Sequence, residues 1–165
     1  MRHAVFSILV ENSSGVLSRV AGLFSRRGYN IDSLTVGETQ DPKYSRMTVT
    51  VTGDDDVLEQ IQKQLTKLVD VKEIMELPQN ASVCRELVLV KVECDAAHRQ
   101  EIIAISDVFR AKITDYSPEA LVIEIRGVST KINAFIELLE PYGILEMCRT
   151  GLVALERGGN CLKNA

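Results

Sequence analysis

The first half of the chain contains two different spacings of apolar residues. Segments in which every second residue is apolar predict strands, and segments with apolar residues every three or four positions predict helices. Residues 47–52 alternate strictly between apolar and hydroxyl side chains, which predicts a half-buried strand. The predicted elements are a strand over 4–10, a helix from about Gly15 to Arg27, strands over 31–36 and 47–52, a helix after Asp54-Asp55-Asp56, and a strand over 69–77.

The same order of elements begins again after a polar, breaker-rich segment, Pro78-Gln79-Asn80-Ala81-Ser82. The second set comprises a strand over 86–94, a helix over 96–110, strands over 112–116 and 121–126, a helix over 129–139 and a closing strand over 144–155. Each half is therefore βαββαβ. Right-handed crossovers then place four strands in one antiparallel sheet with both helices on one face, the ferredoxin-like arrangement.

The sequence thus predicts an α+β fold with two tandem ferredoxin-like domains. We expect a first domain at 1–77, a linker at 78–85, a second domain at 86–157 and a flexible tail at 158–165. A sheet with helices on one face needs cover on its other face and at its edges. Dimerisation, or packing of one half on the other, is therefore expected.

Charge and cysteine content exclude several classes of partner. The formal net charge is −4 and there is no block of Lys or Arg, which disfavours nucleic acid and anionic membranes. No apolar run is long enough to span a membrane, and the first residues lack the pattern of a signal peptide, which favours a cytoplasmic protein. The four cysteines are far apart without a C-x-x-C pair, which predicts reduced thiols and no metal site.

The sequence contains no recognisable catalytic constellation. The Gly-rich phosphate-binding patterns and the nucleophile elbow are missing, and neither His3 nor His98 lies near a plausible nucleophile. The carboxylates of Asp54-Asp55-Asp56 favour a helix cap over a cation site, because a helix N-terminus attracts negative charge. We therefore predict no catalytic residues, and no enzyme activity for this chain by itself.

The most informative segment is Asn12-Ser13-Ser14-Gly15-Val16-Leu17, between the first strand and the first helix. A polar loop with glycine at a helix start exposes backbone N–H groups that can receive a carboxylate. The alternative is a simple connection, with Ser13 or Ser14 as the N-cap and Gly15 for turn geometry. Asn30 and Ile31 open the second strand, and edge-to-edge pairing of two subunits would bring them to this loop. Such a pocket would suit a small aliphatic amino acid.

Three segments carry a specific family resemblance. They read N-S-S-G-V-L-S-R-V-A-G-L-F-S-R-R-G-Y-N-I-D-S-L-T-V from Asn12, S-R-M-T-V-T-V from Ser45 and L-E-Q-I-Q-K-Q-L-T-K-L-V-D-V from Leu58. The chain resembles the small regulatory subunits of acetohydroxyacid (acetolactate) synthase. The resemblance covers roughly Ala4 to Leu77, the ACT domain, almost without interruption, and the chain length and second βαββαβ half are also similar.

The resemblance implies that two ACT domains pair into one sheet and bind valine, or sometimes leucine or isoleucine, at their interface. Asn12, Gly15 and Asn30 match the family's effector positions. The loop amides would take the ligand carboxylate, and Asn30 would add a polar contact from the other subunit. Our candidates for the apolar pocket are Val16, Leu17 and Ile31.

The resemblance also implies a large catalytic subunit as partner, which uses thiamin diphosphate, a divalent metal (Mg²⁺) and FAD. None of these cofactors is expected in this chain. Its role would be to activate the catalytic subunit and confer feedback inhibition in branched-chain amino acid biosynthesis. The second half has Asp95-Ala96-Ala97-His98 and Lys112 where the first has the loop and Asn30, so no amino-acid site is expected there.

Three other functions fit parts of the sequence. An RNA-recognition module shares the βαββαβ order, but the strand that should carry stacking aromatics reads R-M-T-V-T-V from Arg46. A tandem-ACT amino-acid sensor that regulates another protein or transcription would share the effector loop but not the catalytic partner. An autonomous small enzyme would show turnover by the purified chain alone.

Overall fold

The computed structural model describes residues 1–162, which form two compact units. The first unit consists of Met1–Val83 together with the described residues from Leu152 onward, and the second unit is Cys84–Gly151. Among the helices of these residues, none has the length and apolar character needed to cross a membrane.

The first unit contains a four-stranded antiparallel sheet in the order β2-β3-β1-β4. Its elements are β1 (Arg2–Glu11), α1 (Val16–Arg26), β2 (Ser33–Glu38), β3 (Tyr44–Gly53), α2 (Asp55–Thr66) and β4 (Val71–Glu76). This order confirms the predicted ferredoxin-like fold. Strand β2 lies at one edge of the sheet and β4 at the other.

The core of the first unit lies between one face of the sheet and the two helices. Apolar residues at helical spacing on α1 and α2 meet every second residue of β1 and β3. Burying each large side chain of this kind contributes about 1.5–3 kcal/mol, so the amphipathic stripe fixes which helix face turns inward. The buried residues are Val16, Val20, Leu23 and Phe24 of α1, Leu58, Ile61 and Leu65 of α2, Phe6, Ile8 and Val10 of β1, and Met47, Val49 and Val51 of β3.

The start of α2 shows how the three aspartates are used. The Asp54 carboxylate accepts a hydrogen bond from the Val57 N–H at 2.9 Å, which confirms Asp54 as the N-cap. Asp55 pairs with Arg2 at 2.6 Å. Throughout residues 1–162, no group of three or more His, Cys, Asp or Glu side chains is arranged to hold a metal ion.

The second unit repeats the arrangement, with strands in the order β6-β7-β5-β8. Its elements are β5 (Ser82–Glu93, which begins at the end of the first unit), α3 (Arg99–Val108), β6 (Lys112–Tyr116), β7 (Ala120–Gly127), α4 (Ser129–Leu139) and β8 (Ile144–Arg149). Phe135 of α4 is fully buried, and its ring centroid lies 5.4 Å from that of Phe109. The second unit therefore has a hydrophobic core of its own.

The strand predicted at 47–52 is confirmed as part of β3, but the expectation that it is half-buried was wrong. Thr48 and Thr50 are only 3% and 2% exposed, and Ser7 on the neighbouring strand is fully buried. Their hydroxyl face is a polar layer rather than a solvated surface: Thr50 Oγ1 lies 2.6 Å from Ser33 Oγ, and Ser7 Oγ accepts from Arg46 Nη1 at 2.5 Å. Both faces of this sheet are therefore covered.

The predicted closing strand over 144–155 is two strands in the structure. β8 ends at Arg149, and β9 (Val153–Glu156) follows after Gly151, which has a φ of 83°. This left-handed conformation favours glycine and interrupts the extended backbone. The chain then belongs to the first unit, where Arg157 N–H donates to the Ala81 carbonyl at 2.7 Å.

Two predicted segments differ in detail from the structure. β5 begins at Ser82, within the segment predicted as a linker, and a short 3₁₀ turn, Gln79–Ala81, precedes it. Within the predicted tail, Leu162 is buried. The rest of that predicted tail, 163–165, lies outside the described residues.

Candidate functional site

Gly15 is the N-cap of α1 and has a left-handed backbone, with φ 85° and ψ −7°. Its carbonyl accepts from the Arg19 N–H at 3.0 Å, which closes the first helical turn. Within the described chain no side chain caps this helix, so neither Ser13 nor Ser14 serves as the N-cap. The backbone N–H groups of the first turn therefore lie beside an exposed, glycine-containing loop and have no side-chain acceptor.

Asn12 fixes the loop to the β2–β3 hairpin. Its backbone N–H donates to the Lys43 carbonyl at 2.8 Å, and its side-chain Nδ2 donates to the Pro42 carbonyl at 2.9 Å and to Glu38 Oε2 at 3.3 Å. The side-chain amide group is thus occupied, while its carbonyl oxygen is the remaining acceptor. Asn12 lies beside the last residue of β2.

The structure separates the three apolar candidates. Val16 is 3% exposed and belongs to the hydrophobic core, whereas Leu17 is 47% exposed. Ile31 is half-buried and packs against the core from the start of the β2 segment. Of the two helix residues, therefore, it is Leu17 that presents a large apolar surface to solvent beside Gly15.

Asn30 lies at the opposite end of the sheet from the loop. Thr50 pairs with Val5 on one side and with Ser33 on the other, so the start of β2 is level with Val5. Asn12 is seven residues beyond Val5, about 23 Å at 3.3 Å per residue. One chain therefore does not bring Asn30 to Gly15. Asn30 is exposed, and its Nδ2 donates to Asp32 Oδ1 at 3.3 Å.

Arg19 is a residue of this region that the sequence reasoning missed. Its Nε donates to Asp70 Oδ2 at 2.5 Å, and a Cβ added at Gly15 would lie 2.9 Å from its Nη1. The hydrogen bond to Asp70 raises the pKa of Arg19 above its ordinary value, and the same bond lowers the pKa of Asp70. The sequence contained one indication that Arg19 lies near Gly15, since the i+4 spacing places two residues on one helix face.

The corresponding loop of the second unit already contains an anion. The Asp95 carboxylate accepts from the His98 N–H at 2.8 Å and also contacts His98 Nδ1 at 2.8 Å. These contacts, the backbone N–H above all, lower the pKa of Asp95. The predicted helix over 96–110 accordingly begins only at Arg99, because Ala96 to His98 form the turn around this carboxylate.

A cavity of about 690 Å³ lies next to this second loop. Four carboxylates line it, those of Glu93, Asp95, Glu101 and Glu119, together with His98 and Tyr142. The Tyr142 hydroxyl donates to Glu101 at 2.8 Å, which raises the pKa of Tyr142. A lining with four carboxylates repels a carboxylate ligand.

Comparison with known proteins covers both halves of the chain. A family model described as "AHAS small subunit-like ACT domain" matches residues 6–73, and one described as "Small subunit of acetolactate synthase" matches residues 85–158. A probable acetolactate synthase small subunit of Methanothermobacter thermautotrophicus is 51% identical over 159 residues, which is 96% of this chain and 95% of that protein. The chain belongs to the acetolactate synthase small subunit family. The resemblance predicted from its sequence is thus confirmed.

Further relatives extend this result to other acetolactate synthase small subunits. The isozyme 3 small subunit of Escherichia coli is 47% identical over 160 residues, which is 96% of this chain and 98% of that one. A crystal structure of the acetolactate synthase small subunit from Thermotoga maritima matches with a TM-score of 0.90 and 44% identity, over 97% of this chain and all of that one. The fold of this chain is therefore that of a family member of nearly the same length.

Proposed function

We propose that this chain is a regulatory subunit that activates the acetolactate synthase large catalytic subunit and confers feedback inhibition by valine. The effector would bind where the ACT domains of two copies pair. The observation that carries this proposal is the uncapped, glycine-initiated start of α1 in an ACT domain, because it offers backbone N–H groups to a carboxylate.

The position of β2 supports a homodimer as the setting of the site. β2 is an edge strand, and an edge strand presents one row of backbone N–H and C=O groups with which a second copy could pair. Its Val36 is 43% exposed. β2 begins just after Asn30 and ends at Glu38, which the Asn12 side chain contacts. Antiparallel pairing of two identical β2 strands sets the start of one beside the end of the other. It would therefore bring Asn30 of one chain to the Asn12–Gly15 loop of its partner.

A zwitterionic aliphatic amino acid fits the groups assembled in this way. Its carboxylate would accept from the first-turn amides of α1, and its ammonium group would donate to side-chain oxygens such as that of Asn30. Leu17, with Ile31 of the other chain, would face the aliphatic side chain. Ser13 and Ser14 are exposed in the same loop and would border the ligand.

Regulation requires that the effector bind the active and inhibited states with different affinity. This chain would supply the effector site, and the catalytic partner would supply thiamin diphosphate, Mg²⁺ and FAD, so we propose no cofactor and no catalytic residue for this chain. The complex would work in the cytoplasm, in the biosynthesis of valine, leucine and isoleucine.

Calorimetric titration of the purified chain with valine, leucine and isoleucine tests the site. We expect saturable binding with one ligand per chain, lost in Asn30→Ala and retained in Asn80→Ala, a matched control at an exposed asparagine outside the loop. Equal binding by both variants would refute the two-chain site.

Reconstitution with the large subunit tests the regulatory role. We expect the small subunit to raise the rate of acetolactate formation, and valine to lower that rate only when the small subunit is present. A chain that binds valine but leaves the rate unchanged would instead be an amino-acid sensor for another protein or for transcription.

A further inference from the structure

The guanidinium group of Arg19 lies beside Gly15, at the helix start where the effector carboxylate is proposed to bind. A Cβ on Gly15 would lie 2.9 Å from Nη1, 3.7 Å from Cζ and 3.9 Å from Nη2. Gly15 therefore leaves space that this side chain fills. Arg19 itself is half exposed, with 50% of its side chain accessible, so solvent and solutes reach it.

Most of the hydrogen-bonding capacity of this guanidinium is unused. Arginine has five N–H donors in a planar fork. Among residues 1–162 the one side-chain acceptor is Asp70, which takes only Nε. The edge formed by Nη1 and Nη2 is the one that binds carboxylates in a bidentate manner.

The electrostatic setting favours a second anion at this place. Arg19 lies in the first helical turns of α1, where the helix dipole already carries positive charge. Asp70 supplies one negative charge, Glu11 also acts on Arg19 but is paired with Lys72 at 2.7 Å, and Glu38 is held by the Asn12 side-chain amide at 3.3 Å. A ligand carboxylate bound here would therefore face both the Arg19 guanidinium and the uncapped N-terminus of α1.

We infer that Arg19 is an effector-binding residue, whose Nη1 and Nη2 groups take the carboxylate of the bound amino acid beside the first-turn amides of α1. This inference rests on the proposed function, since it assigns a residue to that same site. Asp70 is then a positioning residue, because it holds Nε and orients the free edge toward Gly15.

The arrangement also links the ligand to the edge of the sheet. The Asp70 carbonyl accepts from the Glu11 N–H at 2.9 Å, and Asp70 immediately precedes β4, the edge strand opposite β2. A carboxylate bound at Nη1 and Nη2 would therefore be linked, through Nε and Asp70, to the connection between β1 and β4.

The test compares L-valine with L-valinol, which keeps the ammonium group and the side chain but has a hydroxyl in place of the carboxylate. Both ligands are titrated into the purified full chain, into Arg19→Met and Arg19→Lys, and into the control Arg26→Met, which alters another arginine of α1. We expect Arg19→Met to weaken valine binding about tenfold to a hundredfold, the usual effect of losing a hydrogen bond between charged groups. The affinity of Arg19→Lys for valine should lie between those of wild type and Arg19→Met, because lysine keeps the charge but not the planar fork of donors.

The control ligand and variant separate this inference from the function on which it rests. Valinol should bind wild type and Arg19→Met with equal affinity, and Arg26→Met should bind valine like wild type. Wild-type affinity for valine in Arg19→Met, in a sample with an unaltered circular dichroism spectrum, would overturn the inference and leave the effector site standing. Failure of the wild-type chain to bind any of valine, leucine and isoleucine would overturn the proposed site, and this inference with it.

Discussion

Ser33 and Thr50 place their side-chain oxygens 2.6 Å apart across the ladder between β2 and β3. Thr50 is 2% exposed, and the Leu152 N–H also donates to Ser33 Oγ, at 3.4 Å. A buried hydroxyl needs a partner, because leaving it unpaired costs about 1–3 kcal/mol. This pair is the reason that a polar residue is stable on a covered face of the sheet.

Removal of one member of this pair should destabilise the chain more than removal of both. We expect Thr50→Val to lower the free energy of unfolding by about 1–2 kcal/mol, because the Ser33 hydroxyl then loses a buried partner. In a double-mutant cycle with Ser33→Ala, the coupling measured by denaturant unfolding should be about 0.5–1.5 kcal/mol. A coupling of zero would show that the two hydroxyls do not interact.

Substitutions of the neighbours Val16 and Leu17 should affect different properties, stability for Val16 and valine binding for Leu17. Val16→Ala removes two methyl groups from the core and should cost about 2 kcal/mol in unfolding free energy. Leu17→Ala alters an exposed side chain and should change it by less than about 0.5 kcal/mol. In calorimetric titration, however, Leu17→Ala should weaken valine binding severalfold. The reverse pattern would place Leu17 in the fold and outside the site.

Asp54 and Asp56, at the start of α2, should differ in how their contributions to stability depend on salt. Asp54→Ala removes the acceptor for the Val57 N–H, and the loss of an N-cap costs about 1 kcal/mol. Asp56→Ala, the matched control, removes only a favourable charge near the helix start, worth about 0.3–1 kcal/mol at low salt. Thermal unfolding at high salt separates them, because screening reduces the second effect but not the first.

Gly15→Asp should abolish the response to valine. An aspartate is tolerated in the left-handed conformation better than most residues, but its carboxylate would lie against the Arg19 guanidinium and occupy the place of the ligand carboxylate. Gly15→Asn is the matched control, since it tolerates the same backbone and has no charge. We expect it to bind valine more weakly than wild type but still measurably. Equal affinities of the two variants would rule out an effect of the charge.

The pKa of Asp70 should depend on Arg19. The hydrogen bond from Arg19 holds the pKa of Asp70 below its ordinary value, about 3.9 in unfolded chains. A lowered pKa stabilises the fold above the unfolded pKa, and this contribution is lost as the pH falls through the folded pKa. In Arg19→Met, a carboxyl NMR titration should therefore show a higher pKa for Asp70, and unfolding free energy should fall less between pH 7 and pH 3. Arg26→Met should leave the Asp70 pKa unchanged.

Local signals predicted most of the fold. The helix over 129–139 was predicted at its observed limits, and the cap at Asp54 followed from the preference of a helix start for a carboxylate. The turn at Asp95, too, was visible in principle, because its partner His98 is only three residues away. Hydrophobic spacing and caps depend on near neighbours, which a sequence displays directly.

Contacts between distant residues could not be predicted in this way. The burial of Thr50 depends on cover over a face that the strand's own alternation marks as polar, and the Ser33 hydroxyl beside it receives the Leu152 N–H across 119 residues. The role of Arg19 likewise depends on Asp70, which is 51 residues away. The sequence therefore indicated the loop of the candidate site, but not the charged pair Arg19–Asp70 beside Gly15.

The boundaries of the two family matches differ from the boundaries of the two compact units. The family model for the second half matches residues 85–158, yet the described residues from Leu152 onward belong to the first unit, where they contact Ser33 and Ala81. The second unit is thus an insertion in a discontinuous first unit. A protein truncated after residue 83 would keep every element of the N-terminal βαββαβ repeat, but it would lack the part of the first unit that begins at Leu152. Replacement of 84–151 by a short flexible segment would keep the chain that begins at Leu152, but it would leave only two residues of β5, the strand with which β9 pairs.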